Sequence, residues 1–67
     1  MKLTWQDVEE IAGDLVEHYP QMDPLDVDLE KLRTLVARLP RFADDPEVAP
    51  KSILEAIQGA WYDRSED

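Results

Sequence analysis

The sequence predicts a small, mainly α-helical domain with three helices and little or no strand. Three stretches carry apolar residues at helical spacing, and prolines separate these stretches from one another. The chain has 67 residues, enough for a single domain spanning residues 1–67. Hydrophobic residues make up 43% of it, which is too large a share for a disordered acidic tail.

The first helix is predicted from just after Thr4 to about His18. Thr4 to Asp7 resembles a capping box, in which a hydroxyl and a carboxylate satisfy free backbone N–H groups. Pro20 ends the helix, because a proline disfavours helix in the residue before it. Gly13 falls toward the polar side, at a cost of about 1 kcal/mol relative to alanine. The face predicted to be buried is formed by Val8, Ile11, Ala12, Leu15, Val16 and Tyr19.

The second helix is predicted from about Asp28 to Leu39, after a turn at Asp23-Pro24, and Pro40 ends it. Its apolar stripe consists of Leu29, Leu32, Leu35, Val36 and Leu39. Phe42 is expected to pack beneath the loop that follows. No strand is secure, although a short extended pair near Val27 or Val48 remains open.

The third helix is predicted to begin near Pro50, since proline is favoured in a first helical turn. Its buried face is formed by Ile53, Ala56, Ile57, Ala60 and Trp61. The polar residues from Asp63 onward are expected to fray.

Four carboxylates form a column on the first helix. They are spaced 3, 4 and 3 residues apart, opposite the apolar face, and are Asp7, Glu10, Asp14 and Glu17. Because like charges at this spacing repel, the column does not help the helix, and it could meet a basic partner or share a cation. Spacing alone favours the plainer interpretation of a solvated polar face.

Two further charged segments are candidate sites. The loop Asp44-Asp45-Pro46-Glu47 either supports the helix after it or offers an anionic contact to a partner, and the sequence leaves both open. A basic band could mark a nucleic-acid-binding helix, but it more simply balances neighbouring acids; it consists of Lys31, Arg33, Arg38 and Arg41. A generic protein-interaction domain without a metal role is a further alternative. Trp61 is most simply a core residue, with an exposed aromatic contact as the alternative.

Several function classes are disfavoured by composition. The net charge of −9 makes nucleic acid and anionic membrane poor partners. The chain has no cysteine, one histidine and two glycines, so thiolate metal sites, multi-histidine sites and glycine-rich phosphate loops are not expected. No catalytic constellation is visible, and we predict that the protein is not an enzyme. Without a signal peptide or an apolar span, a cytoplasmic location is expected.

An ordered set of residues spans nearly the whole length of the chain. These are Leu3-Thr4-Trp5-Gln6-Asp7, Glu10-Ile11, Leu15, Tyr19-Pro20, Asp23-Pro24, Val27, Leu39, Phe42, Asp44-Asp45-Pro46, Ile53-Leu54-Glu55-Ala56-Ile57, Trp61 and Asp63. In this set the chain resembles the IscX (YfhJ) family of small acidic iron–sulphur cluster assembly proteins.

The resemblance implies a modified winged-helix fold in a cytoplasmic bacterial protein. It implies binding to the cysteine desulfurase of the assembly system, at a site overlapping that of frataxin, and weak binding of iron (Fe2+ or Fe3+) as a donor or regulator. No organic cofactor is expected, and we expect a monomer. The predicted iron ligands are Asp7, Glu10, Asp14 and Glu17. The predicted partner contacts are Asp7, Glu10, Asp44, Asp45, Trp61 and Asp63.

The sequence departs from the family pattern at three places. Pro40-Arg41 stands where acids are common before the Asp-Asp-Pro loop, Pro50-Lys51 stands where the last helix often opens with Asn-Glu, and Arg64 replaces a common acid. These changes lower the negative charge around the loop and the third helix. They shift the predicted contact surface toward the first helix.

Overall fold

The structure, a computed structural model, describes residues 2–65. It contains three helices: α1 (Val8–His18), α2 (Leu29–Ala37) and α3 (Lys51–Ser65). Two short 3-10 turns precede α2 and α3, at Pro24–Asp26 and Pro46–Val48. Residues 2–65 form no strand, and their β-type pairing is a single parallel bridge between Leu3 and Phe42. The prediction of a mainly α domain with three helices is confirmed.

The start of α1 differs from the prediction by one turn. The N–H and hydroxyl of Thr4 both donate to Asp7 Oδ2, at 2.9 and 3.3 Å, as in the predicted capping box. These bonds close a turn in front of the helix, which begins only at Val8. The delay follows from Trp5, whose buried side chain turns inward against Phe42, with ring centroids 4.7 Å apart in an edge-to-face arrangement.

The other boundaries agree more closely with the sequence. Asp28 caps α2, accepting from Lys31 N at 2.8 Å, and α2 ends at Ala37, two residues before the predicted end. α3 begins one residue after Pro50 and includes residues 63–65, so the expectation that these residues fray is wrong. Residues 66 and 67 lie outside the described range. No extended pair forms near Val27 or Val48, since both residues belong to the ends of the 3-10 turns.

The core lies where α1 and α3 pack together, with α2 closing it. The fully buried side chains include Leu3, Ile11, Leu15, Val36, Leu32, Ile57 and Trp61. Gln58 forms hydrogen bonds between elements that the sequence pattern did not predict. Its Nε2 donates to the carbonyls of Pro24 and Val27, at 2.9 and 2.7 Å, and so fixes the first 3-10 turn to α3. None of the helices in residues 2–65 has the length and apolarity to cross a membrane.

Candidate functional site

The carboxylate column on α1 is interrupted at Asp14. This side chain is buried, with the residue only 6% exposed, and Arg41 binds both of its oxygens. Arg41 Nη2 donates to Oδ1 at 2.7 Å and Nε donates to Oδ2 at 3.0 Å, the bidentate geometry of a strong guanidinium–carboxylate pair. The prediction that the four acids form one open anionic face is therefore corrected. Asp14 is a partner of Arg41 inside the fold.

The electrostatics of this pair place a cation in the middle of the column. The hydrogen bonds from Arg41 lower the pKa of the Asp14 carboxyl, against the opposing effect of burial, and the charge of Arg41 adds to the lowering. The hydrogen bond to Asp14 raises the pKa of Arg41, and the nearby charges of Asp14, Glu10 and Glu17 raise it further. Arg41 therefore lies within the field of the two exposed acids on either side of Asp14 along α1.

The predicted iron ligands are not gathered into one site. Across residues 2–65, no three Asp, Glu, His or Cys side chains stand in an arrangement able to hold a metal ion. Asp7 is engaged by Thr4, and Asp14 is engaged by Arg41. Glu10 and Glu17 are exposed, with the guanidinium of Arg41 near both. We remove Asp14 from the candidate ligands, because its carboxylate is buried and Arg41 already binds both of its oxygens.

Asp7 and the Asp44-Asp45 loop meet at one corner of the molecule. Asp7 Oδ2 accepts from Thr4 N at 2.9 Å, and Asp44 Oδ2 accepts from Trp5 N at 3.2 Å. Because the two acceptors bind adjacent backbone amides, two acidic segments far apart in sequence become neighbours. Glu10 follows Asp7 by one helical turn, with its side chain exposed. We call Asp7, Glu10, Asp44 and Asp45 the acidic corner.

The loop acids also shape their own loop. Asp44 Oδ1 accepts from Asp45 N at 2.7 Å, and Asp45 Oδ1 accepts from Glu47 N at 2.9 Å. The indole Nε1 of Trp5 donates to the Asp45 carbonyl at 2.7 Å. These bonds give the loop acids a local structural role within the loop and its 3-10 turn; they do not reach α3, the helix that these acids were expected to support. Contact with a partner stays a prediction.

The two remaining predicted partner contacts, Trp61 and Asp63, differ in burial. Trp61 is fully buried, so its side chain presents no surface, and the plainer interpretation of a core residue is the correct one. Asp63 is exposed on the last turns of α3. Beside it along the chain, Arg64 reaches α1 and pairs with Glu9 at 3.4 Å. A second acid of α1 is thus matched by a base that departs from the family pattern.

The basic band is not a single free cationic surface. Arg33 pairs with Glu30 at 3.6 Å and with Glu47 at 3.4 Å, and Arg41 pairs with Asp14. Lys31 and Arg38 are exposed and form no ion pair in the described part of the chain. Two of the four bases are therefore committed to acids of this domain, as expected if the band balances internal charge.

Comparison with known proteins agrees with the resemblance in the sequence. The model of a family described as iron–sulphur cluster assembly matches residues 3–66. An uncharacterized protein of Pseudomonas aeruginosa (PA3808) is 48% identical over 63 residues, which covers 94% of this chain and 96% of the relative. The chain therefore belongs to the IscX (YfhJ) family of iron–sulphur cluster assembly proteins, and this membership gives it a role in iron–sulphur cluster assembly.

Proposed function

We propose that this protein docks on the cysteine desulfurase of the iron–sulphur assembly system through the acidic corner. In this role it regulates the desulfurase, competes with frataxin for an overlapping site, and performs no catalysis of its own. The observation that carries the proposal is the convergence of Asp7 and Asp44 on the adjacent amides of Thr4 and Trp5. It joins the start of α1 and the loop before α3 into one anionic surface.

Such a surface suits a partner patch rich in Arg and Lys. Complementary charge raises the association rate and selects the partner more than it adds affinity, and salt screens it over about 8–10 Å. The rest of the polar face of α1 is less suitable, because the pairing of Arg41 with Asp14 neutralises the negative charge between Glu10 and Glu17. The proposed contact is therefore limited to the N-terminal end of α1 and the loop.

We also propose weak iron binding, with fewer ligands than the four that the sequence predicted. Glu10 is the acid best placed to take part, since it is exposed and lies one turn from Asp7. Few oxygens converge there, so the ion would be held loosely and exchanged readily. Titration with Fe2+ under anaerobic conditions should selectively broaden the NMR signals of residues 6–11. Uniform broadening, or none, would remove iron from the proposal.

The clearest test of docking uses Glu10, because its side chain makes no hydrogen bond or ion pair in the described structure. Asp7, Asp44 and Asp45 are poorer choices, since substitution would also remove bonds that hold the backbone. We expect Glu10→Lys to weaken binding to purified desulfurase at least tenfold at low salt, on the order of the coupling energies of close charge pairs.

Asp26→Lys supplies the matched control for this experiment. Asp26 is an exposed acid on the first 3-10 turn, and its replacement changes the net charge by the same amount. It should alter affinity by no more than about twofold if the contact is local. Equal weakening by both variants would indicate a non-specific charge effect. Unchanged affinity for Glu10→Lys would reject docking through the acidic corner.

A further inference from the structure

Two large hydrophobic side chains among the described residues are strongly exposed, Leu25 at 66% and Val48 at 59%. Each lies on a 3-10 turn that opens with Asp-Pro, Leu25 as the second residue of its turn and Val48 as the third. The aspartate caps the turn in both cases. Asp23 Oδ1 accepts from Leu25 N at 3.0 Å, and Asp45 Oδ1 accepts from Glu47 N at 2.9 Å. The two turns therefore each display one aliphatic side chain on a fixed backbone.

The surroundings of the two turns differ. The turn of Val48 is tied to the acidic corner, because Trp5 Nε1 donates to the Asp45 carbonyl and Trp5 N donates to Asp44 Oδ2. On its other side, Arg33 of α2 pairs with Glu47. The turn of Leu25 is instead held by Gln58 of α3, through the carbonyls at either end of that turn.

We propose that Val48 is the apolar contact of the acidic docking surface, and that it enters a shallow apolar depression bordered by Arg or Lys side chains on the desulfurase. This inference rests on the proposed function and adds the residue that gives the complex its lifetime. Charge at an interface mainly sets the encounter rate, whereas a buried apolar contact surrounded by polar groups slows dissociation. A turn whose backbone is already held by Trp5 loses little backbone freedom on binding.

The test measures binding of Val48→Ser and Leu25→Ser to purified desulfurase by calorimetry. Leu25→Ser is the matched control, as it removes a similarly exposed aliphatic side chain from the equivalent turn. Val48→Ser should weaken binding about tenfold, the value for losing burial of one valine side chain, and Leu25→Ser should change it less than twofold. The salt dependence of Val48→Ser should match that of the wild type, since no charge changes.

A third variant, Val48→Asp, separates apolar contact from charge. If the surface binds by charge alone, an added acid leaves affinity equal or raises it. We expect affinity to fall at least as far as in Val48→Ser, with melting temperatures of all three variants near that of the wild type because both side chains are exposed.

The outcomes distinguish failure of this inference from failure of the proposed function. Wild-type binding that Glu10→Lys weakens and Val48→Ser does not would overturn the inference alone, as would tighter binding by Val48→Asp or equal losses at Leu25 and Val48. A wild-type chain that does not bind the desulfurase would overturn the proposed function, and this inference with it.

Discussion

Arg41 binds both carboxylate oxygens of Asp14, at 2.7 and 3.0 Å, and thereby joins the loop after α2 to the middle of α1. The same loop is paired to the N-terminal segment, where Leu3 N donates to the Arg41 carbonyl at 2.7 Å and Ala43 N donates to the Leu3 carbonyl at 2.9 Å. Through its side chain and its backbone carbonyl, Arg41 thus connects the loop after α2 to both α1 and the N-terminal segment. The pair also removes one acid from the surface of α1 and places a cation there.

Loss of the arginine should destabilise the fold more than loss of the carboxylate. Arg41→Gln leaves Asp14 buried and charged without its counter-ion, whereas Asp14→Asn keeps an acceptor oxygen for the guanidinium. We expect the order of melting temperatures to be wild type, then Asp14→Asn, then Arg41→Gln, measured by circular dichroism at neutral pH. Arg38→Gln, at an exposed arginine without an ion pair, is the control and should melt with the wild type. An Arg41→Gln variant as stable as the control would contradict the structural role of the pair.

The pair should also leave a signature in the acid range. Hydrogen bonding to Arg41 holds the pKa of Asp14 below its ordinary value of 3.8. The stabilisation is therefore fully present above the unfolded-state pKa and is lost as the pH falls through the lower folded-state pKa. The stability difference between wild type and Asp14→Asn should be constant above about pH 5 and shrink progressively below the ordinary aspartate value. Urea unfolding across this range measures it, and a difference that grows on acidification would refute the assignment.

Both glycines are expected to be replaceable by alanine with a gain in stability. An added Cβ at Gly13 would lie 3.7 Å from Arg64 Nη1, an ordinary contact, and a Cβ at Gly59 would meet nothing within 4 Å. Both residues lie inside helices, so each substitution should stabilise the domain by about 0.5–1 kcal/mol. Urea unfolding provides the measurement. A loss of stability at Gly59, where space is open, would show that the helix there differs from the structure described.

Trp61 should contribute strongly to the stability of the fold and should not affect binding to the desulfurase. It is fully buried, so Trp61→Ala should cost about 3–5 kcal/mol, which is comparable to the total stability of a domain this small, and should leave the chain largely unfolded. Trp61→Phe fills most of the volume and should remain folded with reduced stability. Its affinity for the desulfurase should equal that of the wild type, as measured on the folded protein. Weakened binding by the folded Trp61→Phe variant would contradict the assignment of Trp61 to the core alone.

Trp5 should set the position of the acidic loop through its indole N–H. Trp5→Phe keeps an aromatic ring against Phe42 but removes the donor to the Asp45 carbonyl. Faster amide hydrogen exchange is expected in residues 44–48, with little change in α2. Binding to the desulfurase should weaken by a fewfold. Unchanged exchange in the loop would show that the backbone bond from Trp5 N to Asp44 suffices.

The sequence predicted the helices well because the apolar spacing of each one is clear. It placed the end of α1 at His18 correctly and the start one turn too early, since the backbone can satisfy the Thr4–Asp7 bonds without a helix. The pairing of Asp14 with Arg41 was missed, because it joins residues distant in the chain and periodicity describes only local faces. One signal was available. Arg41 and Arg64 both depart from the family pattern, and both pair with acids of α1, Asp14 and Glu9.

The sequence predicted the residues of the acidic corner but not that they lie together. Asp7, Glu10, Asp44 and Asp45 were identified from the resemblance, but no pattern in the chain indicated that the amides of Thr4 and Trp5 would bring two of them together. Burial corrected the rest of the site, since Trp61 and Asp14 are both inside the fold. Long-range contacts of this kind depend on the packed structure.

Docking through the acidic corner is tested most directly by NMR mapping of the complex. Adding unlabelled desulfurase to the 15N-labelled chain should shift or broaden the amide signals of residues 4–10 and 43–48. The signals of residues 20–26 and 31–38 should change little, because they belong to the first 3-10 turn with its preceding loop and to the basic band. Perturbation centred on the basic band, or on the turn of Leu25, with residues 4–10 unaffected, would contradict the account.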